Sequence, residues 1–202
     1  MDNIKEGFNF YDNFSEFYGI KPHENAVKIA NYEFFWDCTD ELAPFGSDEG
    51  YLSFVELIDW IEENPDKPIL ECLRWILSSW NLKLSDYNES ILYEENIIED
   101  TLDYRFDRIV LTLDIVLIAT GFGQLILQGK MDENIKNIVH LAILRQMNSY
   151  VLDAFLEDNE EWKYERYKYL QILLDILEKA WYFLSEFSFK KCNIYVQRFL
   201  KE

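Results

Sequence analysis

Apolar residues recur at three- and four-residue spacing along almost the whole chain. No stretch alternates convincingly, so the period predicts helices rather than strands. Residues 10–31 read as one or two short helices, with Pro22 near a start. "YLSFVELIDWIEEN" follows, with Leu52, Val55, Ile58, Trp60 and Ile61 as its expected apolar stripe. "ENPDKP" stops it: Pro65 and Pro68 cannot continue a helix, and Pro68 can open the next. "ILECLRWILSSW" then puts Ile69, Leu70, Leu73, Ile76, Leu77 and Trp80 on one side.

The polar "NLKLSDYNES", residues 81–90, reads as the linker. A long helical zone runs from there to Gly129, a suitable helix stop. Asp132 is the expected N-cap of the next helix, with Ile135, Ile138, Val139, Ala142, Val151, Ala154 and Phe155 facing inward. "EDNEEWKYE" reads as a turn. The last long helix carries Leu170, Leu173, Leu174, Leu177, Trp181 and Leu184, and a tail helix around "NIYVQRFL" closes the chain. The expected fold is all-α: one domain over 1–202, a bundle of three or four long helices with shorter N-terminal helices packed on it, any subdivision falling near 81–90.

Composition supports a packed core, because 49% of residues are hydrophobic and 17% aromatic. "IVLTLDIVLIATGFGQLIL", residues 109–127, has membrane-like hydropathy, but Asp114 sits inside it and predicts a buried helix instead. Cys38, Cys72 and Cys192 are odd in number and widely spaced, which suits reduced core thiols. The first residues show no basic segment followed by an apolar run. Together these features predict a cytoplasmic protein.

The net charge is −19. Such a chain repels nucleic-acid phosphates and anionic membranes and attracts basic proteins. The excess is local: residues 1–130 hold 26 acids and 9 bases, against 12 and 10 in residues 131–202. Between Lys28 and Lys67 there are 11 acids and no base, and between Lys83 and Arg105 there are seven more acids and none. Solvated helix faces ordinarily mix signs to gain i,i+4 pairs. These segments forgo that gain, and a basic partner is the simplest reason.

Catalytic signatures are weak. Neither His23 nor His140 has the Glu-x-x-His or His-Glu-x-x-His spacing of a metal site; His23 suits a cap and His140 a structural role. No EF-hand spacing occurs, although Asp37, Asp40, Glu41, Asp48 and Glu49 offer oxygen ligands to a divalent cation. "FGSDEG" is not a nucleophile elbow, Cys38 beside carboxylates is a poor thiolate, and "GFG" at Gly121–Gly123 lacks the third glycine of a dinucleotide fingerprint. Nothing calls for a cofactor.

One stretch stands apart: "FFWDCTDELAPFGSDEG", residues 34–50. If the segment is helical, Asp37, Asp40 and Glu41 share a face. Pro44 would end it, Gly46 would allow positive φ, and Ser47 or Asp48 would cap the following helix, with Glu49 favourable in its first turn. Phe34, Phe35 and Trp36 next to these acids suit a face that receives arginine or lysine.

This stretch, with the turn Pro44, Phe45, Gly46, Ser47, Asp48 and Gly50, resembles the YfeS-like bacterial proteins, as does "GFGQLILQGKMDE" at 121–133. The resemblance implies a soluble bacterial protein with a recurring turn and supplies no catalytic residue. As a class, small acidic helical proteins without catalytic signatures are similar to the immunity proteins of contact-dependent toxin systems. The expected function is therefore a non-enzymatic inhibitor that occludes a basic, nuclease-like toxin domain. Its expected contact residues are Asp37, Asp40, Glu41, Asp48 and Glu49, then Glu94, Glu95, Glu99, Asp100 and Asp103, with Trp36 as the anchor. The alternatives are a metal-dependent hydrolase built on 37–49, a DNA mimic, or a scaffold whose acidity only maintains solubility.

Overall fold

The computed structural model describes residues 10–79, 81, 84, 87–97 and 104–182; side chains at 104–110 and 181–182 are outside that description. The fold is all-α, with no strand among the described residues. Two short helices open it, α1 (Tyr11–Tyr18) and α2 (Glu24–Ile29). His23 caps α2, its Nδ1 accepting from the Asn25 amide at 3.1 Å. A 3-10 turn, Glu33–Trp36, leads through an irregular loop to α3 (Asp48–Glu63). Pro65 and Pro68 separate α3 from α4 (Ile69–Ser79). A second 3-10 turn, Glu89–Leu92, is followed by a helical turn at 94–97.

The longest helix, α5 (Tyr104–Gln128), is apolar on most sides and is the axis of the bundle. Helices α2, α3, α4 and α6 (Glu133–Gln146) pack around it, and α8 (Glu160–Tyr182) packs on α6 and on α7 (Ser149–Leu156). The window Leu111–Gln128 is long and apolar enough to cross a membrane by length and composition, yet Val116 through Leu125 are all buried inside the bundle. Gly121 and Gly123 serve close packing. A Cβ on Gly121 would come within 2.3 Å of Val139, and one on Gly123 within 2.7 Å of Leu57 and Phe54. Gly129, at φ +70°, ends α5 with its amide on the Leu125 carbonyl.

Several expected faces and boundaries shift. Helix α3 buries Gly50, Ser53, Phe54, Leu57 and Trp60, while Leu52 is exposed and Val55, Ile58 and Ile61 are half-buried. The buried stripe passes through two small residues that read as polar in sequence. They let the preceding loop approach: a Cβ on Gly50 would stand 2.5 Å from the Pro44 carbonyl oxygen. The single helix expected after Asp132 is two, α6 and α7, because the Asn148 side chain caps a new start at the Tyr150 amide, 2.9 Å away. Asp132 occupies the cap position of α6 without a capping hydrogen bond. The polar run at 157–165 is a turn only to Asn159, since α8 begins at Glu160. In α8, Leu170, Leu173, Ile176 and Leu177 are buried. The Trp80, Trp181 and Leu184 side chains and the tail helix fall outside the described residues.

Candidate functional site

Loop 37–47 is where the expected contact residues concentrate, and it is a chain of side-chain-capped turns. Asp37 Oδ1 accepts from the Thr39 amide (2.8 Å), the Thr39 hydroxyl (2.7 Å) and the Asp40 amide (3.2 Å). Asp40 Oδ1 accepts from the Leu42 amide at 2.9 Å. These aspartates compete with helix formation by satisfying nearby amides themselves. The helical face expected for Asp37, Asp40 and Glu41 is therefore absent. Partial burial works against ionisation of Asp37, but the three hydrogen bonds prevail and hold its carboxyl below the usual range.

Gly46 has no positive φ. It is required for space: a Cβ there would lie 1.9 Å from the Asp40 carbonyl oxygen. Ser47 then caps α3, accepting from the Gly50 amide at 3.1 Å. Asp48 is exposed and Glu49 half-buried in the first turn, where both complement the helix dipole.

The aromatic part of this stretch points inward. Trp36 is 3% exposed, donates Nε1–H to the Ala30 carbonyl at 2.7 Å, and meets the rings of Tyr11, Phe14 and Phe35. It is core and cannot be the partner anchor. Phe35 packs on Phe45 and Phe122, and Phe34 stacks on Tyr169 of α8 at 4.0 Å between centroids. Burying these rings stabilises the loop's attachment to the bundle, at about 1.5–3 kcal/mol per large side chain.

Below the loop lies a buried polar network. Asp114, in the middle of α5, is fully buried and accepts from Arg145 Nε (3.0 Å), Arg145 Nη2 (2.7 Å) and the Tyr87 hydroxyl (2.5 Å). Burial pushes the Asp114 carboxyl up, and Arg145 opposes it. Arg166 of α8, 3% exposed, donates to Gln146 Oε1 and to the Leu42 carbonyl. The second contact ties α8 to the acidic loop. Asp40 and Asp114 both favour the Arg166 charge, which burial opposes. Buried Lys136 donates to the Ala180 carbonyl at 3.0 Å.

Sequence reading missed Arg145, Arg166, Tyr87, Gln146 and Lys136. One signal for them existed: an aspartate in an apolar helix needs a buried cation and donors to be tolerated. Nothing local says which of the chain's cations supplies it.

Of the acidic residues expected to meet a partner, Glu41, Asp48, Glu94 and Glu95 are exposed; Asp37, Asp40 and Glu49 are half-buried; Glu99, Asp100 and Asp103 lie outside the described residues. The ion pairs between described residues are Lys130–Asp132, Arg145–Asp114, Lys163–Asp153, Lys163–Glu160 and Lys179–Asp175, all beyond residue 113. Among the described residues, no three His, Cys, Asp or Glu side chains converge to hold a metal ion. His140 is half-buried, with burial holding its pKa down. Cys38 is half-buried too, and burial followed by the Asp37 charge pushes its thiol up. Comparison with protein-family models, curated proteins and solved structures found no match.

Proposed function

We infer that this protein is a non-enzymatic, immunity-type inhibitor that docks an acidic surface onto a basic partner, of which a nuclease-like toxin domain is the expected example. The observation that carries this reading is the separation of charge pairing. Glu41, Asp48, Glu94 and Glu95 stand exposed in two stretches of sequence that hold no base, 29–66 and 84–104, while the ion pairs named above between described residues lie from Asp114 onward. Exposed carboxylates with no base in their own stretch of sequence accelerate encounter with a cationic partner and lose that advantage in salt. The framework is tied down by hydrogen bonds: Ser47 caps α3, the Asp37 and Asp40 turns are internally bonded, and Arg166 holds the Leu42 carbonyl. Such ties lower the entropic cost of docking.

The metal-dependent alternative gains no support, because no three His, Cys, Asp or Glu side chains converge among the described residues and Oδ1 of both Asp37 and Asp40 accepts from the loop's own amides. The test is affinity capture by the full-length protein at low salt, eluted with a salt gradient. One stoichiometric basic protein, released at lower salt by an E41K/E94K/E95K variant, is the expected result. These three side chains are exposed and cap nothing, so their reversal tests charge without dismantling the loop. Absence of a specific partner at every salt concentration refutes the reading.

A further inference from the structure

With Trp36 in the core, the acidic surface needs another apolar anchor, and the structure offers one beside the first turn of α3. Phe17 is 57% exposed, Leu52 47% and Tyr51 39%. Phe17 and Tyr51 belong to one ring cluster with Tyr18: centroid separations are 4.9 Å for Phe17–Tyr18, 5.9 Å for Phe17–Tyr51 and 5.8 Å for Tyr18–Tyr51. Tyr18 is the root of the cluster. It packs on Phe14 and Phe54 of the core, and its hydroxyl donates to the Phe45 carbonyl at 3.4 Å. The outer rings thus sit on two helices fixed to the core, and ordering them on binding costs little.

The two helices that carry this ledge, α1 and α3, hold charge of one sign. Asp48 lies three residues before Tyr51 and four before Leu52, on the same side of α3. Asp12 and Glu16 are exposed on α1, and neither α1 nor α3 contains a base; Lys21, in the loop after α1, is the nearest cation along the chain. Exposed Tyr93 also precedes two acids, Glu94 and Glu95, but no other ring among the described residues is seen in contact with it; two further exposed aromatics have a cation near them. The Lys168 ammonium stands 4.4 Å from the Tyr164 ring centroid, and Trp75 follows Arg74.

We propose that Phe17, Tyr51 and Leu52 form the apolar anchor of a docking surface whose occupant is an arginine-bearing segment of a basic protein. Guanidinium planes lie on the Phe17 and Tyr51 rings while Asp48 and Glu16 pair with the charge. Charge complementarity selects this occupant: a second copy of the chain brings the same net −19, and an anionic membrane is repelled likewise. The proposal rests on the acidic-docking reading and adds where the contact is centred and what chemistry it accepts.

The test uses the full-length protein and a blocked tetra-arginine peptide as probe, with tetra-lysine for comparison, followed by amide chemical shifts at low salt. Shifts centred on α1 and the first turn of α3 are expected, with tetra-arginine binding more tightly than tetra-lysine. An F17S/Y51S variant should bind tetra-arginine about tenfold more weakly, since both ring faces that receive guanidinium planes are lost. F17S alone, at the more exposed position, checks that any loss does not come from unfolding, and far-UV circular dichroism accompanies both. If F17S/Y51S binds like the unmodified protein while E94K/E95K abolishes binding, the anchor is overturned and acidic docking stands. If tetra-arginine does not bind even at low salt, both are overturned.

Discussion

Replacing Arg166 with methionine tests whether the acidic loop is held from beneath. Methionine keeps most of the side-chain volume and removes the fork that bonds Gln146 Oε1 and the Leu42 carbonyl. Gln146 is 1% exposed, and its Nε2 already has no partner among the described residues. Two buried acceptors lose their donor, at about 1–3 kcal/mol each. Removing a guanidinium whose charge burial disfavours returns part of that, so a net loss of about 3 kcal/mol is expected. Against a total folding stability of about 5–15 kcal/mol this is a large fraction. Urea unfolding followed by tryptophan fluorescence should show the midpoint falling by roughly 1 M at an unchanged slope. Amide exchange should quicken at Ala43, whose N–H is bonded to the Asp40 carbonyl at 2.9 Å. Arg166→Lys should recover less than half the loss, because an ammonium cannot reproduce the planar fork. A midpoint within about 0.3 M of the unmodified protein for R166M would refute the reasoning, taking ~2–3 kcal/mol per M as the slope. Full recovery by R166K would show that charge beside Asp40 and Asp114, not hydrogen-bond geometry, is what matters.

Gly46→Ala drives a Cβ into the Asp40 carbonyl, which is backbone and cannot rotate away; a loss of at least ~2 kcal/mol is expected in thermal or denaturant unfolding, and a neutral result would show that the turn relaxes freely. Asp37 and Asp175 both have carboxyls held low, Asp37 by the hydrogen bonds of Thr39 and Asp40 prevailing over burial, Asp175 chiefly by Lys179. Their stabilising contribution is present above the unfolded aspartate pKa of about 4 and is lost as pH falls through their lower folded values, so D37N should show a smaller loss of stability across that window in an acid titration of unfolding. In a C192S background, a thiol reagent should reach half-buried Cys38 slowly at neutral pH and faster as pH rises; Cys72, fully buried with its thiol pushed up to about 12 by burial and then by Glu56, should react only on unfolding.

Elements followed most readily from sequence where an apolar stripe and its stop signals agreed. Ile69, Leu73, Ile76 and Leu77 of α4, the end of α5 at Gly129 and the cap at Ser47 are of that kind, because each depends on a few neighbours along the chain. The stripe of α3 misled, since Gly50 and Ser53 are small rather than apolar yet both are buried, Gly50 by the close approach of the Pro44 loop. For the candidate site, the positions of the acids were legible but their roles were not. Asp37 and Asp40 are turn formers as well as charges, and only the folded loop shows that Oδ1 of each already accepts from nearby amides.

What the sequence determined by itself is the helical class, the helix ends marked by Ser47, Pro65, Pro68, Gly129 and Asp132, and the uneven distribution of charge. Period, capping and net charge are local or additive properties, so they can be read without knowing what meets what. What tertiary structure alone decided is which aromatics are anchors of the fold and which are left on its surface. Trp36 and Phe17 are both aromatic residues near acids in sequence, yet Trp36 finds the Ala30 carbonyl and a ring cluster inside the bundle, while Phe17 ends half in solvent beside Tyr51. The same holds for Asp114, Arg145 and Arg166, which come from three helices and are tolerated in the interior only through the bonds they make there. Burial of a side chain depends on the sum of long-range packing around it, and no window of neighbouring residues contains that sum.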